Sequence, residues 1–297
     1  MKKLYGITVA MTTPFTDDGQ FDAKSMEEQT EFLIQKGIHC LYPCGTTGEM
    51  LHMTTKERMD AAQCVVRQAA GRVPVYIHVG TPDLEDTVRL AQHAERIGAD
   101  GIGVVTPIGA GEDVLETYFQ AVAKSVSLPM YIYNIPQNAK SDITPALAAR
   151  IAASCSNVIG IKYSFMDIKR TWEYLGIKEH TFEVMHGSDR FLAPLMLMGC
   201  KGTISGNAGV FPEPYVALYE AACAHDTEQI QHLMRVCTAI SKALRGGKNI
   251  AYFKNGLCYR GLSGGHMRAP QMDLTNEEAQ RHFEELEALC TTWQLQP

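Results

Sequence analysis

The chain has 297 residues, 45% of them hydrophobic and 20% charged, with a formal charge of -6. This length fits two ordinary domains or one α/β barrel, and the acidic balance leaves no basic footprint for nucleic acid. No apolar run approaches the roughly 20 residues that span a bilayer, and the first one, broken by Thr12, Thr13 and Pro14, is too short for a secretory core.

Nine cysteines, an odd number with no CxxC pair, read as small buried hydrophobes kept reduced, so a cytoplasmic protein is expected. Short apolar runs bounded by turn residues recur from the start. Residues 6–11 (GITVAM) read as a first strand and 25–36 as a helix. A second strand, 40–43 (CLYP), leads into Gly45-Thr-Thr-Gly-Glu49 and a helix from about Thr55, where Thr54 with Glu57 fits a capping box. Strands follow at 74–79 (PVYIHV), 101–106 (GIGVVT), 128–133 (LPMYIY), 158–163 (VIGIKY), 182–186 (FEVMH) and 202–205 (GTIS). Helical periodicity fills 84–97, 114–125, 144–154 and 190–198.

Eight strands alternating with helices imply parallel pairing with right-handed crossovers. An open doubly wound sheet and a closed barrel compete. Eight near-equivalent units, without a GxGxxG after the first strand, favour a (β/α)8 TIM barrel over residues 1–225. Residues 226–297 are helical only, over 227–244, 249–260 and 276–295, and read as a C-terminal helical extension that is not a catalytic unit of its own.

In such barrels chemistry sits at the carboxyl ends of the strands. Lys162 closes the sixth, a nearly all-apolar strand where a charged side chain is out of place. It can snorkel out or pair with a carboxylate; alternatively it sheds its proton and becomes a nucleophile toward a carbonyl. Tyr133 closes the fifth strand, either as a satisfied core tyrosine or as a proton carrier. The loop of Gly45, Thr46 and Thr47 offers hydroxyls and free N–H groups near a helix start, which suit a carboxylate, although such loops are often plain turns. Gly187 and Asp189 after the seventh strand, and Ser205 closing the eighth, fall at the same mouth and are further candidates for substrate contact. The loop, Lys162 and Tyr133 together point to a 2-oxo acid held by its carboxylate and attacked at its ketone.

The motifs GTTGE, YNIP and GIKYS, in this order on eight units, resemble the dihydrodipicolinate synthase / N-acetylneuraminate lyase family of class I aldolases. The resemblance covers essentially the whole chain. It implies Lys162 as the Schiff-base residue, Tyr133 as acid/base, and Thr46 and Thr47 as carboxylate-binding and relay residues. It also implies pyruvate with an aldehyde as reactants, no cofactor or metal, and usually a homotetramer.

There are departures. Members that make dihydrodipicolinate usually carry a Tyr-Tyr pair where this chain has Ile108-Gly109, and an arginine where it has Asn138. Sialic acid lyases typically have a glutamate at Arg190 and a serine at Gly206. Members acting on 2-keto-3-deoxy sugar acids fit the residue set best. Tyr42 and Tyr163 are the candidates to replace the missing relay ring, and Met50, Leu51 and His52 are expected along the pocket. Two other classes compete: a metal-dependent barrel enzyme using His78, His186 and Asp189, and a ketoacid-binding sensor without turnover.

Overall fold

Each apolar run becomes a strand in the computed structural model, which describes residues 2–297. The strands are β1 (Gly6–Ala10), β2 (Cys40–Tyr42), β3 (Tyr76–His78), β4 (Gly101–Val105), β5 (Met130–Asn134), β6 (Val158–Tyr163), β7 (Glu183–His186) and β8 (Gly202–Ser205). They form one eight-stranded sheet in which every adjacent pair is parallel. A parallel bridge between Leu41 and Val75 joins β2 to β3, so the sheet closes into a (β/α)8 TIM barrel.

Eight helices wrap the barrel: α1 (Ala23–Gln35), α2 (Thr55–Ala69), α3 (Leu84–Arg96), α4 (Glu112–Lys124), α5 (Pro145–Ser154), α6 (Ile168–Leu175), α7 (Leu192–Met198) and α8 (Pro212–Ala224). Side-chain oxygens of Asp22, Thr54, Asp83, Thr144 and Asp167 accept from the first-turn amides of five of them, and Thr54 with Glu57 closes the expected capping box. Two helices escape a reading by periodicity. The eight residues of α6 span barely two turns, and α8 opens on Pro212 and Pro214, which look like breakers. Proline is tolerated in a first helical turn, where the missing N–H has no partner to lose.

The strands alternate between two environments. Outward residues such as Ile7, Val104, Ile132, Ile161 and Val184 pack under the helices, while Cys40, Tyr42, Tyr76, Tyr131, Met185 and Ile204 fill the bore. Glycines make that filling possible. A Cβ at Gly101 would lie 2.1 Å from the Tyr76 ring, one at Gly103 1.8 Å from the Tyr42 hydroxyl, and one at Gly160 2.6 Å from the Tyr131 ring. The glycine-rich β4 is therefore the seat on which two tyrosine rings rest.

The extension comprises α9 (Thr227–Ala243), α10 (Ala251–Tyr259) and α11 (Asn276–Trp293). It does not stand apart from the barrel. A Cβ at Gly256 of α10 would touch Val210 at 2.8 Å, and the chain beyond α10 returns to the start of the barrel, where the His266 amide donates to the Phe15 carbonyl at 2.8 Å. Among the described residues no helix is long and apolar enough to cross a membrane.

Candidate active site

Period-two alternation puts Lys162 on the inner face of β6, directly beside Tyr133 on β5. Lys162 is 5% exposed. Its Nζ lies 3.9 Å from the centroid of the Tyr133 ring and 4.9 Å from that of Tyr42. Burial pushes the ammonium below its ordinary range, and among the described residues only the Tyr133 side chain pulls the other way. Among the described residues no carboxylate neutralises it, so the lysine holds its proton less tightly here than in water.

Two further bore residues complete this layer. The His78 ring stands perpendicular to Tyr133 at 5.9 Å and lies 6.0 Å from Tyr42. His78 Nδ1 is 3.1 Å from the Cys44 carbonyl and 3.2 Å from Arg58 Nη2. Burial, then the charges of Arg58 and Lys162, holds His78 well below the usual imidazole range, so it is neutral. Tyr42 Oη and His78 Nε2 are buried with no hydrogen-bond partner among the described residues. Polar atoms left open beside an unpaired amine give this end of the bore hydrogen-bonding capacity that a polar guest could use.

The loop after β2 forms the lip of this space. Cys44 and Glu49 take left-handed backbone conformations, with φ of 62° and 58°. Between them the Gly48 amide donates to the Gly45 carbonyl at 3.0 Å and the Glu49 amide to the Thr46 carbonyl at 3.1 Å. Thr13 Oγ1 donates to the Gly48 carbonyl at 2.8 Å from the neighbouring strand end. Gly45 is buried, Thr46 exposed and Thr47 half-buried, so the two hydroxyls differ in their access to a ligand. Of the three residues that follow, Met50 and His52 are half-buried and Leu51 faces solvent.

Across the mouth, Asp189 is fully engaged by the protein. Its carboxylate accepts from Ser205 Oγ, from Asn207 Nδ2 at 2.9 Å and from the Arg190 amide at 2.8 Å. Burial pushes its pKa up against the pull of those donors. Ser205 Oγ also accepts from the Ala208 amide at 3.0 Å. Asp189 and Ser205 thus lock the rims of β7 and β8 together. Gly187 lets the chain pass Ser164, whose Oγ would lie 2.2 Å from a Cβ there.

The positions of departure have clear surroundings. Ile108 is 61% exposed. Gly109 is left-handed, with nothing within 4 Å of a Cβ, and Asn138 is exposed. A Cβ at Gly206 would lie 2.6 Å from the Phe253 ring and 3.3 Å from Thr47 Oγ1, so a serine cannot enter unless Phe253 moves. Of the two candidate relay rings, only Tyr42 faces the bore. Tyr163 lies on the outer face of β6, 5.1 Å from the ring of Tyr174 and 5.7 Å from that of His186. That contact also separates the histidines of the metal reading: His186 is on the outer wall and His78 in the bore. Among the described residues no three His, Cys, Asp or Glu groups gather for a metal. Sequence reasoning missed Phe253 and Asn207; neither belongs to a motif, and both reach the site only through the fold.

Comparison with known proteins places the chain in a family with this fold. The model of the dihydrodipicolinate synthetase family matches residues 3–289. A protein of Escherichia coli K12 named a probable 2-dehydro-3-deoxy-D-pentonate aldolase is 38% identical over 74% of this chain and 75% of its own length. The 4-hydroxy-tetrahydrodipicolinate synthase of Geobacter metallireducens is 31% identical over 92% of this chain and 95% of its own. Among solved structures, a prophage protein of the dihydrodipicolinic acid synthase family from E. coli K12, in complex with pyruvate, superimposes with a TM-score of 0.91 at 30% identity, covering 97% of this chain and 99% of that one.

Proposed function

The chain belongs to the dihydrodipicolinate synthetase family and is a carbon–carbon lyase, and we propose that its reaction is the reversible cleavage of a 2-keto-3-deoxy sugar acid to pyruvate and an aldehyde through a Schiff base. The observation that carries this reading is Lys162, an amine inside a barrel mouth with no carboxylate to hold its proton and Tyr133 beside it. Cleavage of this kind needs a neutral amine to attack and a proton carrier at the bond being broken.

In this reading the loop of Gly45, Thr46 and Thr47 holds the substrate carboxylate with its hydroxyls and backbone N–H groups. Lys162 Nζ adds to the C2 ketone and water leaves, giving an iminium that draws electrons from C3. The C4 hydroxyl gives its proton to the Tyr133 oxygen, which hands its own toward Thr47, and the C3–C4 bond breaks to release an aldehyde. The enamine takes a proton at C3, and water then frees pyruvate and Lys162. Gly187, Asp189 and Ser205 shape the opposite rim; Asp189 and Ser205 act there by holding β7 to β8.

Two things support a sugar acid over the synthesis of dihydrodipicolinate. The relative named as a pentonate aldolase is one. The other is exposed Asn138, which replaces the guanidinium that would grip a second carboxylate. A homotetramer in the cytoplasm belongs to the same reading. Trp172 and Leu197, at 60% and 72% exposed, are side chains that a subunit interface would cover.

Intact mass after incubation with pyruvate and sodium borohydride tests the chemistry. A gain of one reduced pyruvoyl group, absent from Lys162→Ala, is expected. No gain in the unaltered protein would remove Lys162 from catalysis and leave the carboxylate loop without an assigned guest. Release of pyruvate from a panel of 2-keto-3-deoxy acids then identifies the aldehyde, and labelling without release from any of them would favour a sensor.

A further inference from the structure

The loop that closes the bore is held from outside the barrel. Glu49 and Lys254 form an ion pair at 2.6 Å in which each side chain is 3% exposed. Lys254 belongs to α10, on the far side of the chain from Glu49 in sequence. Its Nζ also donates to the His266 carbonyl and lies 4.7 Å from the Phe15 ring centroid. The second oxygen of Glu49 accepts from the Arg268 amide at 3.0 Å. The Arg268 side chain then reaches the next element: its guanidinium holds Glu57 at 2.8 Å and 3.2 Å and the His52 carbonyl at 3.3 Å. Glu57 is the acid of the α2 capping box.

These contacts all fall on the carboxyl side of the turn that carries Thr46 and Thr47, at two successive places. Before α2 the backbone is pinned through Glu49, a left-handed residue two positions beyond Thr47; at the start of α2 it is pinned through Glu57. The return of the chain to this place depends on Gly265, left-handed at φ +65, where a Cβ would meet the Phe15 amide at 2.6 Å. None of these groups lies in the bore, and no charge on Lys254 or Glu49 is left over for a ligand. What they fix is the position of the loop backbone.

We propose that Lys254 and Arg268 of the C-terminal extension are positioning residues for the ketoacid carboxylate, acting through Glu49 and Glu57 on the loop that carries Thr46 and Thr47. This rests on the reading that the loop holds the carboxylate. A loop that must present hydroxyls and N–H groups to one anion tolerates little displacement, and its affinity depends on the groups that support it. The extension thereby sets how tightly the first substrate is held, while Lys162 and Tyr133 on the barrel set what happens to it.

The test is the pyruvate dependence of borohydride labelling in the full chain. The double variant Glu49→Gln with Lys254→Met removes both charges at similar side-chain length, so no unpaired ion remains to unfold the protein. The pyruvate concentration giving half-maximal labelling should rise on the order of tenfold, with labelling at saturation unchanged. Lys254→Arg, which keeps the cation, should fall between the double variant and the unaltered protein. A double variant that labels at the unaltered concentration overturns the proposal, even if it melts at a lower temperature. Absence of labelling in the unaltered protein would instead defeat the Schiff-base reading. Hydrogen exchange on the unaltered chain adds an independent check. The Gly48 and Glu49 amides should exchange as slowly as strand amides, and exchange at the rate of an open loop would overturn the clamp.

Discussion

Lys162 and Lys254 are both shut away from water, at 5% and 2% exposed, yet their surroundings differ in kind. Lys254 meets Glu49 at 2.6 Å and a backbone carbonyl, so its charge is matched where it is buried. Lys162 meets the faces of two tyrosine rings and no carboxylate. Burial lowers the pKa of both, but Glu49 opposes it at Lys254, whereas Tyr133 is all that does so at Lys162. A buried lysine is therefore not in itself a sign of catalysis; the missing counter-ion is.

The two ends of the bore repeat this contrast. At the amino end of the strands Glu183 accepts from Tyr131 Oη and pairs with Lys3 at 2.7 Å, and Tyr76 Oη donates to the Lys2 carbonyl at 2.9 Å. Every one of those groups has a partner, which is what a stability element requires. At the carboxyl end Tyr42 Oη and His78 Nε2 have none among the described residues. Matched polar groups close one end of the bore, while the other carries polar atoms without partners.

Replacing each lysine by methionine tests the comparison most directly. Lys162→Met should abolish turnover and labelling while melting no lower than the unaltered protein, because no charge is left unpaired. A protein that still turned over substrate would end the assignment of Lys162. Tyr133→Phe comes next, with kcat expected to fall roughly a hundred- to ten-thousand-fold and KM to change little; steady-state kinetics showing no loss would withdraw its proton-carrying role. Lys254→Met should instead cost about 3–5 kcal/mol of stability in denaturant unfolding, since it strands the Glu49 carboxylate in the interior. A loss below about 1 kcal/mol would mean that this pair is a surface pair in energetic terms.

The sequence made the unmatched lysine visible and hid the paired one. Lys162 interrupts an apolar strand, a local anomaly that any reading of the chain meets. Lys254 lies in a helix of mixed composition, and its partner Glu49 is a loop residue on the far side of the chain, so no spacing links them. The strands were legible because both faces of a parallel barrel are buried; α6 and α8 were not, being too short or opened by prolines. Strand alternation alone distinguishes Tyr163 from Tyr42 as a relay candidate, because a neighbour of an inward lysine must point outward. The extension looked like an appendage in sequence because its contribution to the site is made of contacts, not motifs.

The smallest expected effect sharpens the comparison through pH. Lys162 in the folded protein has a lowered pKa, while in the unfolded chain it titrates near about 10.4. Between those values the unfolded chain binds a proton that the folded one does not, so this residue's contribution to stability improves as pH rises and is worst below the folded value. Lys162→Met carries no such proton. Its stability advantage over the unaltered protein, measured by denaturant unfolding across the alkaline range, should therefore shrink as pH approaches about 10.4. The rate of labelling at low pyruvate should rise with pH over the lower part of the same range and level off before its end, since only the neutral amine attacks. Levelling only at about 10.4 would show Lys162 to be an ordinary lysine. A gap that stayed constant with pH would assign the stability change to packing rather than to the proton. Lys254→Met combined with Glu49→Gln completes the contrast: removing a matched pair leaves the pH dependence of labelling at saturating pyruvate in place, because that dependence belongs to the unmatched lysine alone.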